Sequence, residues 1–577
     1  MEQQKPNIVL IMTDEMRGDC MGAAGHPDVK IPYLDTLVQR GIYYPNAYSA
    51  CPSCIPARAE LFTGLSQRHT GRVGYEDGVD WNYKRTLPGE LAKQGYYTQC
   101  VGKMHVHPLR SLMGFHNVVL HDGTLQAYQN VEIPFYENQQ YADDYYYWLK
   151  NEKGIRADMI DTGLQCNSWV TRPWIYDEMS HPTNWVVTES IDFLRRRDRR
   201  KPFFLMTSFV RPHAPYDAPQ IYFDMYRKKE LRPPFYGDWD DREYLEENGH
   251  IYDSHSGPSD TDMIREQQIG YYACITHIDH QIGRLLQALE AQNLMDNTVI
   301  VFTSDHGEML SDHCLNRKNV PYQGSVRIPM ILSGPRHLIG GRKEVRDDIV
   351  ELRDIMPTLL HLAHDPAEGL DGLDMLGNVH REYLHGEHLA DYEKHSNQFI
   401  VTKTDKYIWF PKTGEEQYFR LDTDPYETHN AIGEKQYENR IAQLRKYLIK
   451  ELAGCPEGYS DGTQLYVGKE GAASLPHAAA EQDFFVEMVK QGEREMTNQE
   501  ILRIAMEQSA RDESCRPDDC LREEHVVVPS KVSSRARNYL EPACAQWGFR
   551  PAWIEMTAKP ISFVKQMNGI KARREEL

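Results

Sequence analysis

Cys51 and Cys54 stand three residues apart in the segment SACPSCIPARAELFTGL, residues 49–65, and a Cys-x-x-Cys pair serves either thiol–disulfide exchange or half of a zinc site. Neither reading is completed elsewhere. Zinc would need two more ligands at similar spacing, and the chain has no second Cys-x-x-Cys. A redox pair usually follows the first strand of a small βαβ unit, whereas this one sits well inside a large chain. Other residues suited to chemistry recur at the ends of apolar runs: Asp14, Lys103 with His105, Arg211 with His213, and Asp305 with His306. Aspartates in such places are either helix N-caps or metal ligands. The cationic side chains are either solvated loop residues or donors that hold an anionic substrate. His107, His277 and His280 read as structural or surface residues and receive no role.

The elements that carry these residues narrow the choice. Asn7–Thr13, Tyr97–Val101, Phe203–Phe209 and Asn297–Thr303 are apolar runs of strand length. Helix-period segments lie between them: Leu34, Leu37 and Val38 after Pro32, closed by Gly41 as a C-cap, and Val187, Ile191 and Leu194. This alternation over residues 1–365 predicts an α/β catalytic domain, a mostly parallel sheet sandwiched by helices. Ligand sites of open α/β sheets lie beyond the C-terminal ends of the strands, where each polar group named above falls. A Gly/Asp-rich stretch, EGLDGLDMLG, marks a boundary. Strands at Gln398–Thr402, Tyr407–Phe410 and Gln417–Leu421, then an amphipathic helix at Tyr437–Leu452, predict a smaller C-terminal α+β subdomain over 366–454 with a small antiparallel sheet. Residues 455–577 read as an extension of polar loops with one helical segment, Thr497–Arg511, and no assigned role.

The 577 residues include 65 Lys plus Arg against 85 Asp plus Glu, a formal charge of −20. A field of that sign repels nucleic acid and anionic membranes, so neither is expected as a partner. An anionic small substrate then needs a local pocket built from a metal ion or a few cationic side chains. No apolar run approaches the ~18 residues of a membrane span, and Ile8–Met12 is too short for a signal-peptide core and lacks a cleavage site. The 11 cysteines are odd in number and several lie inside apolar segments, which suits a reducing cytoplasm better than a disulfide scaffold. A cytoplasmic location is therefore expected, with the oligomeric state left open.

Cys54-Ile-Pro-Ala-Arg58, followed by a short helix ending in Leu-Phe-Thr-Gly, resembles the Cys-x-Pro-x-Arg signature of type I, formylglycine-dependent sulfatases of the alkaline phosphatase-like superfamily. Cys51 cannot take that place, because Ser53 and Ile55 stand where Pro and Arg are needed. The resemblance covers most of residues 7–430. NIVLIMTDE with Asp14, VGKMH with Lys103 and His105, RPHAPYDAP with His213, TSDHGEML with Asp305 and His306, RKNVPYQGSVRIPMIL with Lys318, and KYIWFP with QYFRLDTDPYETHN follow in family order. The resemblance implies that a separate maturation enzyme oxidises Cys54 to Cα-formylglycine, whose hydrated aldehyde supplies the nucleophilic oxygen. It also implies one divalent metal, Ca²⁺ first with Mg²⁺ or Mn²⁺ as alternatives, held by Asp14, Asp305, His306 and the side chain at 54. Glu15 is left out of that set: many sulfatases have a second Asp there and an Asn after the later Asp, whereas Asp305-His306 resembles the choline sulfatase and phosphonate monoester hydrolase branches. Arg58 and Lys103 would hold the hydrated aldehyde, and His105 would be the base that breaks the covalent hemiacetal sulfate. His213 and Lys318 would meet the bridging ester oxygen as general acid and electrostatic stabiliser.

The expected function is that of a sulfuric ester hydrolase acting on a small organic O-sulfate, a sulfated sugar or an aryl sulfate. Two alternatives stand beside it. One is a phosphonate or phosphate monoester hydrolase on the same machinery, and the other is a non-catalytic metal-binding relative whose Cys54 is never converted.

Overall fold

The structure is a computed structural model and describes residues 5–123, 142–155, 167–377, 379–389, 396–469 and 471–480. The expected helical segment Thr497–Arg511 lies outside the described residues. Strand β1 (Asn7–Asp14) is buried along its whole length. Successive side chains of a strand face opposite sides, and β1 accordingly sends Val9 and Ile11 into one hydrophobic cluster and Ile8, Leu10 and Met12 into another. After it come α1 (Pro32–Gln39), β2 (Gly41–Tyr43), α2 (Cys54–Thr63), β3 (Tyr97–Gly102), β4 (Asn117–Leu120), α3 (Pro182–Arg196) and β5 (Phe203–Pro212). The long helix α4 (Thr261–Ala291), β6 (Thr298–Ser304), β7 (Met330–Ser333), β8 (Glu344–Val345) and α5 (Ile355–Leu362) complete this part.

The eight strands order as β4-β3-β5-β1-β6-β7-β2-β8. The pairs β4–β3, β3–β5, β5–β1 and β1–β6 are parallel, while β7 runs antiparallel to both β6 and β2. Apolar residues of α1, α3 and α4 cover one face, and those of α2 and α5 the other. Because β1, β3, β5 and β6 run the same way, their C-terminal ends share one edge, and the chain leaves each strand there with a polar residue. A register shift between Met12 and Asp14 pairs Asp14 with Pro212 at that edge. Gly41 corrects one expectation: it opens β2 and does not cap α1. A Cβ at Gly41 would stand 2.2 Å from the Leu332 carbonyl oxygen of β7, and α1 closes at Arg40.

The smaller sheet is antiparallel and has four strands, β9 (Leu384–His388), β10 (Asn397–Val401), β11 (Lys406–Trp409) and β12 (Glu416–Phe419). Helix α6 (Glu438–Glu451) lays Ile441, Leu444 and Leu448 into one cluster with Ile400, Tyr407, Trp409 and Tyr418. The sequence hides β9 because LHGEH has no apolar alternation; Gly386 is needed there because a Cβ would meet the Phe399 ring at 2.0 Å. Part of the chain beyond 454 is anchored on the loop after α2: the Val73 amide donates to Ala473 O (2.9 Å) and the Leu475 amide to Gly71 O (2.7 Å). Among the described residues no helix is long and apolar enough to cross a membrane.

Every residue of α2 is buried, Glu60 included. Neither Glu60 carboxylate oxygen has a hydrogen-bond partner, and burial, with the neighbouring Glu351 and Glu387, pushes this carboxyl well above the usual range. The native state therefore holds a proton that the unfolded chain releases near pH ~4.3. Its contribution to stability is complete below that pH and is lost as pH rises through the raised native value. Glu60→Gln should consequently melt with a flatter dependence on pH than wild type across the neutral and alkaline range. Equal slopes in thermal melts from pH 5 to 9 would show that Glu60 is ionised in the native state.

Candidate active site

Cys54 is the first residue of α2, with its side chain 2% exposed. A helix N-terminus favours an anion through its unpaired amides and dipole. One turn later, Arg58 lies on the same face as Cys54. Arg58 is fully buried; its Nε donates to Asp305 Oδ2 at 2.9 Å, and its Nη1 donates to Lys103 O at 2.8 Å and Ser208 Oγ at 3.1 Å. Its Nη2 has no protein acceptor. The ion pair with Asp305 and the nearby charge of Asp14 hold the guanidinium charged against the cost of burial.

Asp14, Cys54, Asp305 and His306 converge from the ends of β1, α2 and β6, with one ligand atom of each within 4.8 Å of the others. The sulfur at 54 occupies the place where the oxygen of a converted side chain would stand. It lies 3.6 Å from Asp14 Oδ1 and 3.3 Å from His306 Nε2. His306 Nδ1 faces the Gly307 carbonyl at 3.0 Å. A carbonyl only accepts, so Nδ1 carries the proton and Nε2 turns its lone pair into the cluster, the tautomer a metal-ligating imidazole needs. Two carboxylates, an imidazole and an oxygen fit a hard divalent cation. Asp305 serves both sides, since its Oδ1 accepts the amides of Glu15 (3.1 Å) and His306 (3.0 Å) while Oδ2 holds Arg58. Burial would raise Asp14, but Lys103, His213, Lys318 and His306 overcome it and hold this carboxyl well below its ordinary range.

The cationic side chains expected from the sequence surround this cluster. Lys103 Nζ pairs with Asp14 Oδ2. His105 has a left-handed backbone (φ 57°); the Met104 and His105 amides both donate to Asp122 Oδ1, at 2.6 and 3.1 Å, which holds that turn in place. Burial would lower the His105 imidazole, yet the nearby Asp77 and Cys54 raise it above its ordinary value. His213 gives its amide to Asp14 O at 3.1 Å and sets Nδ1 against Ala214 O at 2.8 Å. Burial and the nearby lysines push the His213 imidazole well below its ordinary value. Lys318 lies between two left-handed residues, Arg317 and Asn319, and the Asn319 amide donates to Pro52 O at 3.1 Å, tying this loop to the segment before Cys54.

All the residues expected from the sequence thus share one edge of the sheet. Arg211 is spoken for elsewhere, pairing through Nε with Asp217 Oδ1 at 2.6 Å; His277 is a core residue against Asn184 Oδ1 at 2.5 Å. Three supporting residues escaped the sequence. Asp122 lies two residues beyond the end of β4, where the strand-end rule that found the others also applies, so it could have been found. Asp77, 3.5 Å from His105 Nε2, sits in a loop with no pattern. Ser208 sits inside β5, and only the fold brings it to Arg58.

The family model described as Sulfatase matches residues 6–365. An arylsulfatase of Clostridium perfringens (strain 13 / Type A) is 51% identical over 472 residues, covering 80% of this chain and 98% of the relative. An ulvan-active sulfatase of Formosa agariphila is 28% identical, covering 78% and 82%. Among solved structures, a phosphonate monoester hydrolase of Agrobacterium radiobacter aligns with a TM-score of 0.65 at 23% identity, covering 78% of this chain and 96% of that one, a likeness of fold.

Proposed function

The chain belongs to the sulfatase family and hydrolyses sulfate esters, and from that premise we propose how its own side chains divide the work. Family membership brings a divalent metal and a formylglycine; when both are bound, the metal neutralises sulfuryl oxygens and the converted side chain supplies the attacking oxygen. Cys54 is the converted residue, and Asp14, Asp305 and His306 hold the metal, which the oxygen-rich set fits best as Ca²⁺. The convergence of these four ligand atoms within 4.8 Å carries the reading. Arg58 Nη2, free of protein acceptors, and Lys103 fix the hydroxyls of the converted side chain. His105 takes the proton that frees sulfate from that side chain, with Asp77 facing its ring.

On the leaving-group side the geometry separates two roles. His213 Nδ1 is taken by the Ala214 carbonyl, so Nε2 has a proton to give only when the ring is doubly protonated, whereas Lys318 is a charged donor in either case. Lys318 stabilises the departing oxygen electrostatically, and His213 donates only in its imidazolium form. Removing either should hurt esters of poor leaving groups, such as alkyl or sugar sulfates, by roughly 10²–10³. An activated nitrophenyl sulfate should lose far less, because it departs unaided. The ratio of the two losses is the measurement; equal losses would place both residues in sulfate binding.

The substrate class is a small aryl sulfate or sulfated sugar, supported by the arylsulfatase and ulvan-active sulfatase relatives. A panel of both classes, with phosphonate monoesters beside them, tests it on converted enzyme. A separate maturation enzyme oxidises Cys54, and because the side chain is 2% exposed once folded, it does so before folding is complete. A cytoplasmic location accords with the free thiols of the described cysteines. The same reading assigns catalysis to residues 1–365, the small sheet to 366–454 and an extension to 455–577.

A further inference from the structure

Glu15 follows the metal ligand Asp14 directly, yet its carboxylate does not join the Asp14–Cys54–Asp305–His306 cluster. Its backbone is left-handed (φ 72°), a conformation a bulky side chain adopts only where surrounding contacts hold it. Those contacts are present: the Glu15 amide donates to Asp305 Oδ1 at 3.1 Å, and the Tyr271 hydroxyl donates to Glu15 O at 2.7 Å. So fixed, the side chain sends Oε1 to 3.1 Å from Lys318 Nζ and Oε2 to 3.4 Å from His213 Nε2. One carboxyl group therefore lies between an ammonium and an imidazole that arrive on separate elements, the end of β5 and the loop after β6.

We propose that Glu15 is a positioning residue that holds Lys318 and His213 over the departing ester oxygen, and that it is not a ligand of the metal. The inference rests on the assignment of those two residues to the leaving group. At 2% exposure, the contact is little screened by water and fixes both partners firmly. The side-chain length matters, because an aspartate at 15 would withdraw the carboxylate by one methylene from both partners. Glu308, another carboxylate near Glu15, cannot substitute: it accepts from the amides of Leu310 and Arg317 and from the Tyr216 hydroxyl. Asp14, Glu15 and His213 lie close enough to share a cation, but the fixed ammonium of Lys318 on the same carboxylate opposes a second positive ion there.

The test compares Glu15→Gln, Lys318→Ala, His213→Ala and the Glu15→Gln/Lys318→Ala double variant, all converted. Each is assayed for metal per chain and for kcat/KM on an alkyl sulfate and on nitrophenyl sulfate. Glu15→Gln should keep its metal, lose roughly 10- to 100-fold on the alkyl ester, as loss of a supporting partner typically costs, and lose little on the nitrophenyl ester. The double variant should lose less than the product of the two single losses, because Glu15 acts partly through Lys318 and keeps only its hold on His213 once Lys318 is gone. Loss of metal in Glu15→Gln would make Glu15 a ligand and overturn the proposal, as would full additivity in the double variant. If Lys318→Ala and His213→Ala themselves hurt both esters equally, the leaving-group assignment falls, while the additivity measurement still judges the link between Glu15 and Lys318. Glu15→Asp, which keeps the charge but shortens its reach, should show the same selective loss and serves if the Gln variant does not fold.

Discussion

Cys54→Ala should lose several orders of magnitude in turnover while remaining folded, since on the proposed reading the attacking oxygen exists only after oxidation of this thiol. Alanine removes only a small side chain from the first turn of α2, and the helix keeps its Ser53 N-cap position and its Gly64 terminus. Cys51→Ala is the matched control and should be nearly silent in catalysis. Burial, Glu60 and Glu387 push the Cys51 thiol well above its ordinary value, so it is an inert core sulfur. Steady-state rates for both variants, with circular dichroism to establish folding, check this. An inactive Cys51→Ala beside an active Cys54→Ala would reverse the assignment.

Asp305→Ala should fail in two ways at once, and both are measurable. The metal should be lost, because a carboxylate central to the four-ligand cluster is gone. The fold should also weaken by about 3–5 kcal/mol, the usual result of removing one partner of a buried ion pair, since Arg58 and Asp305 are both fully buried. Elemental analysis and thermal melting separate the two effects: added metal should restore neither occupancy nor melting temperature. Full metal occupancy in Asp305→Ala would remove this residue from the ligand set.

Much of this site was legible before any coordinates because parallel strands aim their C-terminal ends the same way. An aspartate after β1, a lysine after β3 and an aspartate after β6 had to share an edge once the strand runs were recognised. The sequence could not say what each side chain faces. Glu15 looked like a failed metal ligand, and only the left-handed turn at that residue shows its carboxylate directed at Lys318 and His213. Asp77 was invisible because it meets His105 through a loop rather than an element. Strand β9 was missed for a related reason, its His, Gly and Glu residues lacking the apolar alternation that marks a strand from sequence alone. Gly41 misled because glycine after a helix usually marks a cap, whereas here the close approach of β7 demands it.

In the proposed mechanism the side chain at 54 is an oxidised cysteine whose oxygen attacks the sulfate ester. Mass spectrometry of the peptide spanning residues 49–65, run on preparations with different degrees of maturation, tests it most directly. Specific activity should rise in proportion to the fraction of that peptide carrying the aldehyde, and vanish where only the thiol is found. Full sulfatase activity from protein whose Cys54 is entirely an unmodified thiol would contradict it.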